Sequence, residues 1–280
     1  MKYVLYNPYA GIGVNEESVA MPESDENIKY WDITTIENYD DWFASLEDEG
    51  DIILCGGDGT VNRFVNAVKG IDFNNKLYLY PVGSGNDFAR ELGFKKEEAT
   101  AFCIDEYVEN LPTVTVNDED YLFINGVGYG IDGYCCEEGD KQKAVSNKAV
   151  NYTAIAIKGL LFHYKPTNAK ITVDGKEYEF KNVWLAPTMN GKYYGGGMIP
   201  TPEQNRLADD KKLSVMVFCG KSKIKTLMIF PSIFKGEHVK HKKSVTVLEG
   251  KEIKVQYDSP TPLQIDGETI LGVTQYVARV

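Results

Sequence analysis

The chain has 280 residues, 43% of them hydrophobic and 25% charged, a balance that supports packed domains and excludes an intrinsically disordered chain. Its formal net charge of −11 excludes a general nucleic-acid binder, which needs a basic surface. Its longest apolar runs, such as "TLMIFPSIF" at 226–234, fall far short of the roughly 20 residues that span a bilayer.

The chain opens with "YVLY" at 3–6, a strand that ends at Asn7-Pro8, so no secretory pattern is visible. "IKYWDIT" at 28–34 reads as a second strand, and "DDWFASLED" as a helix whose first turn is acidic, which suits its dipole. Residues 15–51 are strongly acidic, with Lys29 their single base. Ile52 to Cys55 read as a short buried strand, and Val61, Phe64, Val65 and Val68 then repeat at helical spacing over 60–69. A strand "KLYLYP" at 76–81 and a helix from about Asn86 to Leu92 complete the pattern. Strands alternating with helices predict a largely parallel sheet covered on both faces.

Ligands on such sheets sit beyond the carboxyl ends of strands. Three loops rich in small residues arise there: "NPYAGIG" (7–13), "GGDGT" (56–60) and "GSGND" (83–87). Glycine lets a backbone approach a ligand closely, and the N–H groups of the helix that follows suit a phosphate. Asp58 is the oddity, because an acid beside a phosphate repels it unless a divalent cation lies between. Asp87 has a plainer reading as a helix cap.

Beyond about residue 112 the chain turns β-rich. "TVTV", "DYLFIN", "AKITVDGKEYEF", "KLSVMVFC", "SVTVLEG" and "KEIKVQYD" are strand-like, and Asp174-Gly175 is a hairpin signal. One long helix is expected at roughly 141–163. Runs of short strands with turn signals predict an antiparallel sandwich or barrel. The expected domains are 1–115, α/β and nucleotide-binding, and 116–280, β-rich and sandwich-like, with the last residues packing back on the first domain as an option. The five cysteines (55, 103, 135, 136 and 219) form no CxxC or Cys/His cluster, which argues against zinc and fits a reducing cytoplasm.

"GGDGTVN", then "PVGSGNDFAR", then "IDGE" at 265–268 resemble the diacylglycerol kinase catalytic family, which includes sphingosine kinases and bacterial lipid kinases. "NPYAG", "GVGYGIDG" (126–133), "YGGGMIPTPEQNRLADDKKL" (194–213) and "GEHVK" (236–240) are similar to further family segments. The resemblance covers nearly the whole chain. It implies an active site in the cleft between the two domains, with ATP and Mg²⁺ as cofactors. It also implies a nucleotide cradle of Asn7, Ala10, Gly11, Gly56, Gly57, Gly59, Thr60, Asn62, Ser84 and Asn86, with Thr34 or its neighbour Thr35 contributing after the second strand. Asp58 would handle the Mg²⁺ on the phosphates. A structural Mg²⁺ would be held by Asp210 with the carbonyls of Leu207 and Lys212, an oxygen-only set.

The family's catalytic acids sit in the late DGE, which places the general base at Asp266 or Glu268. "QIDGET" alone is a hairpin turn, and "VDGKE" at 173–177 has the same shape. Three departures from the family pattern stand out: Arg63 where an acid is usual, no lysine or arginine in the first loop, and Lys211 in place of a glycine. The expected reaction is transfer of the γ-phosphoryl group of ATP to a lipid hydroxyl such as that of diacylglycerol, with a place in phospholipid biosynthesis. A kinase resembling NAD kinase and a catalytically silent lipid- or nucleotide-binding module are the alternatives. The expected partners are ATP and a lipid met transiently at the membrane surface from the cytoplasm, without nucleic acid; pairing with a second copy is left open. Residues 221–243, rich in lysine around "LMIFPSIF", are the expected contact with anionic lipid.

Overall fold

The computed structural model describes residues 1–9, 27–82, 86–94, 100–145 and 150–280. They form two compact units, Met1–Asn110 and Leu111–Val280.

The first unit contains, in order, β1 (Lys2–Tyr6), β2 (Ile28–Asp32), α1 (Tyr39–Ala44), β3 (Asp51–Gly56), α2 (Asp58–Ala67), β4 (Leu77–Pro81), α3 (Asp87–Glu91), β5 (Phe102–Cys103) and α4 (Asp105–Val108). The sheet order is β2-β1-β3-β4-β5. The first four strands are parallel, and β5 runs antiparallel to β4. The fully buried Ile52, Leu54 and Cys55 explain the continuous apolar run of β3. Asn38 starts α1 by accepting the Asp40 and Asp41 N–H groups at 2.9 and 3.3 Å. Trp42 on α1 packs edge-on against Tyr3 and Trp31, which fixes that helix on the sheet. The chain leaves β1 toward β2 on one side and reaches β3 on the other. The connection therefore reverses direction between β1 and β3, the usual place for a ligand in an open sheet.

The second unit begins with β6 (Thr113–Val116), β7 (Glu119–Leu122), β8 (Gly126–Tyr129), α5 (Ile131–Val145) and α6 (Tyr152–Lys158). After a π-helical turn at Gly159–His163 come β9 (Thr167–Val173), β10 (Lys176–Leu185), β11 (Thr188–Met189), β12 (Leu213–Cys219), α7 (Lys223–Ile229), β13 (Val245–Gly250), β14 (Glu252–Ile265) and β15 (Glu268–Arg279). The ladders are antiparallel, and the ring β14-β8-β11-β12-β10-β9 closes on itself because β14 pairs with both β8 and β9. β14 can serve both neighbours because its pairing register shifts between Gln256 and Leu263, around Pro260 and Pro262. The barrel interior is aliphatic with a tyrosine cluster, in which Tyr129 stacks on Tyr257 at 4.0 Å between ring centroids.

The compact units divide after Asn110, and residues 113–116 form β6, which pairs with β15. The last strand lies in the second unit's own sheet, between β14 and β6. One expectation changes here. The long helix expected at 141–163 is instead α5, starting at Ile131, then the separate α6 and its π-helical turn. Glycines in α5 hid its start: a Cβ at Gly133 would lie 1.8 Å from the Pro262 carbonyl oxygen, so backbone approach to β14 requires glycine there.

Candidate functional site

In the first unit, side chains tie the strand-end loops together. Asn7, just after β1, donates from Nδ2 to Thr60 Oγ1 at 3.1 Å, a buried bond across the β1/β3 switch point. Gly56 ends β3, and a Cβ there would meet Thr60 Oγ1 at 2.2 Å, so glycine is what lets the helix seat so closely. Gly57 caps α2 without a side-chain hydrogen bond, and Asp58 and Gly59 form the first turn, where helix N–H groups precede the intrahelical ladder. Thr60 and Asn62 are buried on the inner side of α2, whereas Arg63 is exposed.

Asp58 reaches the third loop. Its two carboxylate oxygens accept the N–H groups of Asp87 at 2.8 Å and Phe88 at 3.1 Å, at the head of α3. The cap of α3 therefore comes from a neighbouring loop and not from Asp87, and Asp58 has a structural task besides any with a cation. Asn86 precedes α3 in the left-handed conformation at φ 38°, which asparagine tolerates better than most residues. Thr34 lies at the end of β2 with its hydroxyl bonded to Asp32 at 2.6 Å, and Thr35 bonds the Asp32 carbonyl, so neither is tied to the other loops by these bonds. Ala10, Gly11 and Ser84 lie outside the described residues.

In the second unit the two acids of the DGE turn separate in role. Asp266 and Gly267 both have positive φ, 47° and 100°, as the turn between β14 and β15 requires. The Asp266 carboxylate accepts three backbone N–H groups, from Ile124 at 2.5 Å, Asn125 at 2.8 Å and Gly126 at 2.9 Å. Asp174 in the other Asp-Gly turn behaves alike, its Oδ1 accepting the N–H groups of Lys251 and Glu252 at 2.9 Å. In both turns the aspartate anchors a distant stretch of backbone. The turns differ one residue after the glycine, where Lys176 stands in one and the exposed Glu268 in the other. Asp266 lies within the turn and Glu268 opens β15, so the two do not share the face of one regular strand.

Around this turn are residues that motif reading did not single out. Arg206 donates to the Ile124 carbonyl at 3.2 Å and to Asn125 Oδ1 at 3.1 Å, and Asn190 Nδ2 donates to the Ile124 carbonyl at 2.8 Å. They hold from the other side the same 124–126 segment that Asp266 holds. Arg206 falls inside the family-like 194–213 segment without an assigned role, and Asn190 lies outside the quoted motifs. Asp132, inside "GVGYGIDG", was visible as part of a motif but had no assigned role. It is buried in the first turn of α5 and accepts the Tyr194 hydroxyl at 2.6 Å. Burial pushes its carboxyl up to about 7, against the opposing effect of the Tyr194 bond.

The Asp132 shift has a sign. An unfolded aspartate loses its proton near pH 4, while the folded one keeps it to about pH 7. Its contribution to stability is thus complete below about pH 4 and is lost as pH rises to about 7. Asp132→Asn, which retains an acceptor for Tyr194, is expected to flatten the dependence of melting temperature on pH between 4 and 7. At pH 8 it should exceed wild type by roughly 2–4 kcal/mol. Equal slopes in the two proteins would assign the titration to another group.

In the 207–212 loop, Asp210 Oδ2 lies 2.5 Å from Lys212 Nζ, and that ammonium is the main cause holding the Asp210 carboxyl below its usual range. The Lys212 carbonyl accepts Gln204 Nε2 at 2.9 Å, and Lys211 takes φ 38° in the turn. Among the described residues no cluster of three or more His, Cys, Asp or Glu side chains is poised to hold a metal. None of the described helices is long and apolar enough to cross a membrane.

Comparison with known proteins matches residues 2–114 to the diacylglycerol kinase catalytic domain and residues 125–279 to the YegS C-terminal NAD kinase beta sandwich-like domain. A Mycobacterium tuberculosis protein named "Diacylglycerol kinase" is 28% identical over 194 residues, which are 67% of this chain and only 61% of that relative. A Bacillus subtilis protein named "Putative lipid kinase YtlR" is 25% identical over 248 residues, 80% of this chain and 75% of the relative. The fold is shared with a Bacillus anthracis crystal structure described as a diacylglycerol kinase, at TM-score 0.58 and 21% identity, covering 99% of this chain and 93% of that one.

Proposed function

The chain belongs to the diacylglycerol kinase catalytic-domain family, with a YegS-type C-terminal domain, and on that premise we propose that it transfers the γ-phosphoryl group of ATP to the hydroxyl of a lipid such as diacylglycerol. The observation that carries this reading is the lacing of three strand-end loops at the β1/β3 switch point, by Asn7–Thr60 and by Asp58 with Asp87 and Phe88. The first turn of α2 offers N–H groups to the phosphates, and Asn7, Thr60, Asn62 and Asn86 supply polar contacts, with Ala10, Gly11 and Ser84 assigned to the same cradle. The charge-bearing partner of the phosphates is Mg²⁺. Asp58 suits it as a carboxylate in the first turn of α2, beside the proposed phosphate positions and of the oxygen-ligand type that Mg²⁺ takes.

In the proposed step the lipid hydroxyl oxygen bonds to the γ-phosphorus while the bond from that phosphorus to the β,γ-bridging oxygen breaks, giving ADP and a lipid phosphate. The hydroxyl proton goes to Glu268 as general base. Asp266 is assigned a positioning role, because its carboxylate is held in the turn by three backbone N–H groups. The test is label transfer from γ-labelled ATP to a panel containing diacylglycerol, a sphingoid base, a polyprenol and NAD. Label in one lipid supports the reading. Label in NAD alone, or in nothing, overturns it in favour of a small-molecule kinase or a silent binding module.

For the 207–212 loop we retain the structural Mg²⁺ at Asp210 with the carbonyls of Leu207 and Lys212. The ion must displace the Lys212 ammonium, which already neutralises Asp210. Added Mg²⁺ should therefore raise the melting temperature of wild type modestly, that of Lys212→Ala by about 2 °C or more beyond this, and that of Asp210→Ala not at all. The same Mg²⁺ response in all three proteins would remove the ion from this loop.

A further inference from the structure

Two helical segments far apart in sequence share one core and expose one kind of surface. Ile155, Ala156 and Leu160 of the α6 region pack in the same buried cluster as Ile229, Phe230 and Ile233 from α7 and the turn after it. Lys223 Nζ also donates to the Leu161 carbonyl at 3.0 Å, bonding the two segments at the surface. Above that core stand large exposed apolar side chains: Phe162 is 72% exposed, Ile224 73% and Met228 77%, with Ile157 and Leu161 about half as exposed. Contiguous exposed apolar side chains rimmed by polar ones mark binding surfaces.

The charge around them identifies the occupant. Residues 151–165 contain no acid, and residues 221–243 contain Glu237 alone, whose carboxylate is paired with Lys240 at 2.9 Å. Next to the apolar group, Lys225, Lys240, His241, Lys242 and Lys243 line a concavity. A chain of net charge −11 that gathers its lysines beside exposed Phe, Met and Ile has the makeup of an interfacial element: apolar side chains enter the acyl boundary and lysines meet anionic headgroups. An acidic protein partner would pair with the lysines but would leave the apolar side chains without a matching surface.

We propose that the joint face of α6, its π-helical turn and α7 docks on an anionic lipid bilayer, with Phe162, Ile224 and Met228 inserted and the lysine concavity on lipid phosphates. This extends the expected contact at 221–243 by a second segment, and it rests on the lipid-kinase reading only for its purpose. Full-length protein should co-sediment with phosphatidylcholine vesicles carrying about one third phosphatidylglycerol and not with phosphatidylcholine alone, and binding should fall at least tenfold from low to high salt. Phe162→Glu with Met228→Glu, and separately the set Lys225→Glu, Lys240→Glu, Lys242→Glu and Lys243→Glu, should each weaken binding by about tenfold or more. Lys176→Glu with Lys251→Glu serves as the control. Turnover of a short-chain acceptor dispersed below its micelle concentration should survive in both docking variants. If that turnover is absent in wild type while vesicle binding behaves as stated, the kinase reading fails and the docking face stands. Wild type that ignores anionic vesicles at low salt overturns the face, as do variants that bind like wild type. A dimer in sedimentation equilibrium that these same substitutions dissociate, without vesicle binding, reassigns the face to a second copy.

Discussion

Glu268→Gln is expected to lower kcat by about 10²–10⁴-fold, the range for a lost general base, with no change in melting temperature and no loss of ATP binding. Glu268 is exposed at the first position of β15, so an amide there disturbs little packing. Asp266→Ala should look different. It strips the acceptor from three backbone N–H groups at Ile124, Asn125 and Gly126 and puts alanine at φ 47°. A cost of about 3 kcal/mol or more follows from unpaired donors and a strained turn. Its activity falls through loss of the 124–126 segment's position, so Asp266→Asn, which keeps an acceptor and tolerates that φ, should recover part of both stability and turnover. Measuring kcat and thermal unfolding on all three variants separates the roles. A fully active Glu268→Gln enzyme would remove Glu268 from the chemistry.

Asp58→Ala is expected to lose both function and stability, in contrast to a residue that acts only on a cation. The carboxylate is the cap of α3, so its removal leaves the Asp87 and Phe88 N–H groups without the acceptor seen here. Loss of such a cap costs about 1–2 kcal/mol. Loss of a preorganised contact at the phosphates costs about 10²–10³-fold in kcat. Asp58→Asn preserves one acceptor oxygen, so it should keep much of the stability while remaining impaired in turnover. Equilibrium unfolding with parallel kinetics reads both effects. If Asp58→Ala unfolds like wild type, the bond across the loops does not stabilise the fold.

The order of strands and helices in the first unit was legible because its periodicities are clean and its loops fall at strand ends. β3 and α2 could be read directly from Ile52–Cys55 and the Val61–Phe64–Val65–Val68 spacing. In the second unit, strands were legible one by one, but closure of the barrel was not, since it depends on β14 changing partners around Pro260 and Pro262. The start of α5 was missed because Gly133 and Gly139 look like helix breakers. Both are glycine for close contact, Gly133 with the Pro262 backbone and Gly139 with the Tyr152 ring. At the site, motifs found Asp58 and the DGE turn but could not tell capping from chemistry. Asp58 meets N–H groups 29 and 30 residues away, and Asp266 meets groups 140 to 142 away. Arg206, inside the family-like 194–213 segment, and Asn190 are brought to the DGE turn only by the fold.

The central claim is phosphoryl transfer from ATP to a lipid hydroxyl, and stoichiometry tests it most directly. With γ-labelled ATP, Mg²⁺ and diacylglycerol in mixed micelles, the account predicts one labelled phosphatidate formed for each ADP released by wild type, and both products formed about 10²–10⁴-fold more slowly by Glu268→Gln. ADP release without labelled lipid, or folded ATP-binding protein that labels no lipid hydroxyl at all, would contradict it.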